Sequence, residues 1–271
     1  MTCEFPDLPR FVAVRRLIGE AAALASTFRA DLAALPAEQK SHGQDLVSAA
    51  DRAVEDLIRD GLAAAFPDDG FLGEEDGLKQ GSSGFTWVVD PIDGTSCFLH
   101  GLTDWCVSIS LVKDSETKLG LILHPASNDL FVAARGRGAY LNGKPMRVDT
   151  QGAVGNRLVG VGANLRIPAI AISGFIDQLL ASGGMFYRNG SGALMLAHVA
   201  CGRLIAYYEP DMNSWDCLAG LCLIREAGGW TESFDASQSG LQAVGLAMGG
   251  APQVRAELLS FIPREANGSS S

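Results

Sequence analysis

Three short acidic clusters stand where elements of the chain begin or end: Gly73-Glu74-Glu75-Asp76, Asp90-Pro91-Ile92-Asp93-Gly94-Thr95 and Ser214-Trp215-Asp216. Singly, each has an ordinary structural use. Acids in loops are solvated, and Asp216 suits a helix N-terminus, where the backbone dipole favours negative charge. The middle cluster asks for more. An apolar strand, Trp87-Val88-Val89, ends in Asp90, turns at Pro91 and presents Asp93 three residues later, so two carboxylates surround one tight turn. Gly94 and Thr95 then open a short helix whose free amides form an anion site. Carboxylates beside an anion site make chemical sense when a hard cation lies between them. Mg2+ takes carboxylate and water oxygens and bridges to substrate phosphate.

In their order and separations, GEE (73–75), DPIDGT (90–95) and WDCLAG (215–220) resemble the inositol monophosphatase family, as does a fourth segment, DLVSAAD (45–51). The resemblance covers residues 10–262, nearly the whole chain. It implies a layered α-β-α-β-α fold, dependence on Mg2+ with two to three ions per subunit, and a homodimer. It implies that Glu74, Asp90 and the Ile92 carbonyl hold one metal, that Asp90, Asp93 and Asp216 hold a second with Asp90 bridging, and that a weaker third ion lies near Glu74. The nucleophilic water would be oriented by Glu74 and the Thr95 hydroxyl. Asp51 would hydrogen-bond Thr95 and help it accept the proton, although an acid in an early helical turn also serves the dipole. The amides of Gly94 and Thr95 would bind phosphate, with Asp93 and Asp216 beside it. Lys40 matches a family lysine near the metals, and is otherwise a solvated group.

On the leaving-group side, Glu209 matches the family position that binds substrate hydroxyls. Ser191, in Asn189-Gly190-Ser191-Gly192, matches the loop lining the same pocket and is equally a good helix cap. The chain departs from the family pattern at Ser96-Cys97, at Ser191-Gly192 and over 210–213, on the sugar side and not at the metal ligands. The substrate expected is myo-inositol monophosphate or a similar small phosphorylated polyol, with histidinol phosphate as the alternative. Nucleotide 3'-phosphatase and sugar bisphosphatase activities fit less well. An inactive regulatory or binding protein would lack a ligand acid, and none is missing.

Helical spacing of apolar residues over 11–28 and 49–66 predicts two amphipathic helices. Strands are predicted at 86–89, 105–112, 118–123 and 129–134, then a hairpin of 140–141 and 146–148 around Asn142-Gly143. Short turns between successive strands imply an antiparallel meander. Beyond about residue 150 strands (157–162, 185–188, 203–209, 246–248) alternate with helices (169–180, 194–201, 215–226, 254–261), an α/β arrangement. The reading is therefore one compact unit of two halves. Residues 1–150 form an α+β half with an antiparallel sheet and most metal ligands, and 151–271 a mixed α/β half completing the metal site and pocket, with a disordered tail at 266–271.

Hydrophobic residues make up 47% of the 271 and charged residues 19%, which suits a globular protein with a large core. A formal net charge of −10 argues against nucleic acid or an anionic membrane as partner, since both need a basic face. No apolar stretch is long enough to span a bilayer, and no basic segment followed by an apolar run suggests a signal peptide. Six cysteines without metal or CxxC spacing read as small hydrophobes in a reducing compartment, so a cytoplasmic protein is expected.

Overall fold

A computed structural model describes residues 4–5, 7–34, 43–164, 166–234 and 240–263. Lys40 and the expected tail at 266–271 lie outside the described residues. Helices α1 (Pro9–Ala34) and α2 (Gly43–Ala65) pack on each other and on one face of an eight-stranded sheet. Their apolar stripes explain this: Phe11, Val14, Ile18, Ala21 and Ala25 of α1 and Ala50, Val54, Ile58 and Leu62 of α2 are all fully buried.

The sheet has the order β2-β1-β3-β4-β5-β6-β7-β8. Its strands are β1 (Gly70–Gly73), β2 (Gly77–Lys79), β3 (Phe85–Asp93), β4 (Cys106–Lys113), β5 (Glu116–His124), β6 (Asp129–Ala134), β7 (Ala139–Leu141) and β8 (Lys144–Pro145). Alternation sorts side chains between its faces: Trp87 and Val89 meet α1 and α2, whereas Val88 joins the core on the other side. From β3 onward the sheet is the expected antiparallel meander, but β1 pairs parallel with β3. Gly70-Phe71-Leu72-Gly73 is too short and glycine-flanked to show alternation, so β1 and β2 escaped the sequence reading. The second hairpin strand is β8, not 146–148: Asn142-Gly143 makes a two-residue turn, and pairing ends at Pro145.

A five-stranded sheet of order β10-β9-β11-β13-β12 follows, from β9 (Leu158–Val161), β10 (Met185–Tyr187), β11 (Ala206–Asn213), β12 (Trp230–Thr231) and β13 (Val244–Gly250). Between the sheets lie α5 (Gly192–Ala200) and α6 (Ser214–Glu226). Both are apolar on nearly every side, as a helix sandwiched between sheets must be. On the outer face α4 (Ala169–Ala181) and α7 (Arg255–Ser260) close the stack, with Phe175 stacked on Tyr208 at 4.0 Å and Phe261 edge-on. The result is the α-β-α-β-α layering. No helix among the described residues is long and apolar enough to cross a membrane.

Helix α6 and the first sheet meet backbone to backbone at Gly120 of β5. A Cβ there would lie 2.6 Å from the Ala219 carbonyl oxygen in α6, so only glycine lets helix and sheet approach this closely. Gly120→Ala should therefore force α6 off the sheet and lower stability by about 1–3 kcal/mol. Urea unfolding followed by circular dichroism measures this, and an unchanged midpoint would contradict the packing described.

Candidate active site

Asp90 and Asp93 both belong to β3, which does not end at Asp90 as the sequence suggested. Residues three apart on a regular strand point to opposite faces. Here Asp90 pairs with Ser108 and Asp93 with Cys106, so three steps on β3 match two on β4. This β-bulge inserts one residue and turns both carboxylates to the same cavity. Pro91 lies within the bulge, where a missing N–H is tolerated. Gly94 follows with φ of 93°, a left-handed turn that starts the short helix α3 (Thr95–His100).

Glu74 reaches the same place from the tight turn between β1 and β2. That turn is held by a residue the sequence reading missed. Glu55 of α2, fully buried, accepts the amides of Glu75 (2.9 Å) and Asp76 (3.2 Å) and pairs with Arg59. An acid on the apolar side of a helix, with arginine four residues on, was the available signal. Asp216 comes from the first turn of α6, where its Oδ2 accepts the Asn213 amide (3.3 Å) and side chain (3.0 Å). Carboxylate oxygens of Glu74, Asp90 and Asp216 come within 4.8 Å of one another.

Asp93 is tied elsewhere. Its Oδ2 accepts the Ser191 hydroxyl (2.5 Å), the Ala193 amide (2.8 Å) and the Cys106 thiol (3.7 Å). Ser191 is thus fully buried: it caps α5 through Leu194 and orients Asp93, while its loop meets the cavity through Gly190 and Gly192 on either side of it. Asp51 lies two turns inside α2 and not at its start. The Thr95 hydroxyl donates to the Ile92 carbonyl (3.2 Å), not to Asp51.

The cavity, ≈ 140 Å³, is lined by Glu74, Asp90, Asp93, Gly94, Thr95 and Asp216 on one side. Glu209, Tyr207, Arg188, Met195 and Met212 line the other. Glu209 does not end its strand, since β11 continues to Asn213 past an irregularity after Glu209. Its oxygens accept Tyr207 Oη (2.5 Å) and Asn164 Nδ2 (3.3 Å). Arg188, Tyr207 and Asn164 had no distinguishing pattern in the sequence.

The crowding shows in the acidities. Burial pushes the Asp90 carboxyl well above the usual range, and the charges of Glu74, Asp93 and Asp216 add to it. Asp93 rises to about 7, through burial and then Asp216, against the lowering by its three hydrogen bonds. Although Glu74 as a residue reaches solvent, protein packed about its carboxyl, then Asp216, Asp51 and Asp93, raise it to about 8. Asp51 rises to about 7 by burial, then Glu75 and Glu55. Asp216 and Glu209 are also raised, mainly by burial. An all-oxygen donor set that resists ionisation by itself is suited to a hard divalent cation.

The sequence model of the inositol monophosphatase family matches residues 11–262. Over 198 residues the chain is 42% identical to a Xylella fastidiosa protein named Nus factor SuhB, covering 72% of this chain and 71% of that one. It is 37% identical over 212 residues to an inositol-1-monophosphatase of Rhizobium meliloti, covering 76% and 78%. A solved structure of the extragenic suppressor protein suhB from Bartonella henselae matches with a TM-score of 0.80 at 26% identity, covering 93% of this chain and 98% of that one.

The raised acidities make stability depend on pH in the absence of metal. The folded state keeps protons that the unfolded chain releases near pH 4, roughly. Stability is therefore greatest below that value and falls as pH rises through the folded values of about 7 for Asp51 and Asp93 and about 8 for Glu74. In EDTA the thermal midpoint should decline steadily between about pH 5 and about pH 8, and saturating Mg2+ should flatten the decline by replacing the protons. A level midpoint in EDTA would contradict the crowding.

Proposed function

We propose that this chain, which belongs to the inositol monophosphatase family, hydrolyses a small phosphorylated polyol in a Mg2+-dependent reaction. Phosphatase activity is common ground with the family; metal, substrate and assembly are the proposed part. The observation that carries the reading is the convergence of Glu74, Asp90 and Asp216 within 4.8 Å, in a cavity shared with Asp93 and Glu209.

Glu74, Asp90, Asp93, Asp216 and the Ile92 carbonyl would hold two to three Mg2+ per subunit. Bound there, the metal supplies charge neutralisation, a grip on phosphate and a lowered pKa of water. Glu74, at the wetter edge, orients the attacking water. Thr95 donates to Ile92 and so turns its lone pairs outward to accept from that water. Asp51 acts on Glu74 through its charge. The amides of Gly94 and Thr95 receive the phosphate. Glu209 already accepts one bond at each oxygen, and the second lone pair of each remains for a substrate hydroxyl.

Support for myo-inositol monophosphate comes from relatives named inositol-1-monophosphatase. Histidinol phosphate is the alternative on the same cavity. A homodimer is supported by exposed apolar residues on and beside edge strand β10, namely Met185, Phe186, Ile170 and Leu180. Free thiols at Cys97, Cys106, Cys201, Cys217 and Cys222 fit a reducing, cytoplasmic setting. A second reading, action as a Nus factor, rests on relatives so named. The intact carboxylate set puts hydrolysis first.

Two groups of measurements test this, the first on the metal, the water and the substrate. EDTA should abolish turnover of inositol 1-phosphate, Mg2+ should restore it, and Ca2+ should inhibit, because its looser coordination misplaces the reacting oxygens. Glu74→Gln should lose at least about a hundredfold in turnover while folding normally. Turnover that survives exhaustive chelation would exclude the reading, and a panel with histidinol phosphate, fructose 1,6-bisphosphate and adenosine 3',5'-bisphosphate ranks substrates.

The second concerns Glu209. A charge-assisted bond to a substrate hydroxyl is worth about 1.5–3 kcal/mol, so Glu209→Gln should lower kcat/KM for the polyol roughly ten- to a hundredfold. A generic aryl phosphate, which offers no hydroxyl, should be little affected. Equal losses on both would place Glu209 with the metal site or the fold.

A further inference from the structure

The chain has a net charge of −10, yet five of its 21 lysines and arginines line a single cleft of ≈ 350 Å³. The floor of this cleft is apolar. Leu111 of β4 lies opposite Leu119 of β5, and Leu119 opposite Ala134 of β6, giving a buried row across three strands. Leu8, Pro9 and Phe85 form its sides, and Arg10, Lys113, Lys118, Arg135 and Arg137 surround it. The cleft is remote from the carboxylates. Phe85 pairs with Lys113 at one end of the β3–β4 ladder, and Asp93 with Cys106 at the other, so the two sites are separated by most of a strand's length, roughly 25 Å.

Its cations outnumber their partners. Arg10 forks onto Asp69 with two bonds of 2.8 Å, and Arg137 pairs with Asp7 at 2.7 Å. Lys118 and Arg135 share the single carboxylate of Glu116. Lys113 has no carboxylate partner among the described residues; its ammonium lies 4.5 Å from the centre of the Phe85 ring. Four of the five cations thus pair with three carboxylates, and Glu226 adds a fourth negative charge near Arg135, its own oxygens taken up by the Gly136 and Gly138 amides. The N-terminus of the 26-residue helix α1 opens at the same place, with no acid in its first turn to offset the positive end of its dipole.

We propose that this cleft binds a small amphipathic monoanion, an alkyl or aryl carboxylate. Its apolar part lies over Leu111, Leu119 and Ala134 beside Leu8 and Pro9, and its carboxylate meets Lys113 and the cations that share Glu116. The volume falls in the range of small-molecule pockets, mostly apolar with a few convergent charges. The phosphorylated polyol proposed as substrate does not suit it, because an apolar floor leaves hydroxyls unpaired.

The test is isothermal titration of the full-length protein in Mg2+ with sodium octanoate. One molecule should bind per chain, at least tenfold more tightly than octan-1-ol or octylammonium, with no competition from inorganic phosphate. Lys113→Glu should weaken octanoate binding at least tenfold and leave phosphatase turnover unchanged. If that variant fails to fold, Lys113→Gln and the floor-filling Ala134→Leu give the same reading. No measurable octanoate binding, equal binding of the alcohol or the ammonium, displacement by phosphate, or indifference to both Lys113 and Ala134 substitutions would each overturn the proposal.

Discussion

Like charges held together in a protein interior set the central constraint here. Glu74, Asp90, Asp93 and Asp216 come from three separate segments, and each is held less acidic than usual by burial, to which neighbouring carboxylates add at Glu74, Asp90 and Asp93. Such a cluster persists only where the surrounding backbone is rigid enough to deny it relaxation. The rigid frame is the sheet–helix–sheet stack. β3 carries two of the carboxylates, α6 carries a third, and α6 is pressed onto β5 at Gly120 so closely that no side chain fits between them.

Hydrogen bonds then decide which way each acid faces. Asp93 is the junction between the halves of the chain: three donors from β4 and the start of α5 converge on one of its oxygens, leaving the other for the cavity side. Ser108 of β4 donates to the Trp215 carbonyl, one residue before Asp216, and so fixes α6 against the same strand. Glu226, at the far end of α6, accepts the Gly136 and Gly138 amides. Carboxylates from distant parts of the sequence are thus positioned by a few cross-layer bonds rather than by one loop. Glu55 does the same for Glu74 from beneath, taking up turn amides that would otherwise face an apolar helix surface.

The ladder of β3 and β4 has a different environment at each end. At one it presents carboxylates and a polar cavity; at the other, leucines ringed by lysine and arginine. A strand can do this because its two ends share backbone pairing and little else, so the charge at each end is set by different neighbouring loops and helices.

How much was legible beforehand follows from the range of the forces involved. The three acidic clusters, the period of α1 and α2, the strand–helix alternation after residue 150 and the Asn142-Gly143 turn are local properties, carried by a few consecutive residues. The sequence by itself therefore determined the layered class and the acid types to expect. It could not determine that β1 runs parallel to β3, that a bulge keeps β3 going through Asp93, or that Ser191 faces Asp93. Those depend on which strand lies alongside which and on donors almost a hundred residues away. Asn164, Tyr207 and Arg188 gained their roles only through such neighbours, because a side chain's partner is chosen by packing in three dimensions and leaves no spacing pattern behind, whereas Glu55 left one trace in the arginine four residues on.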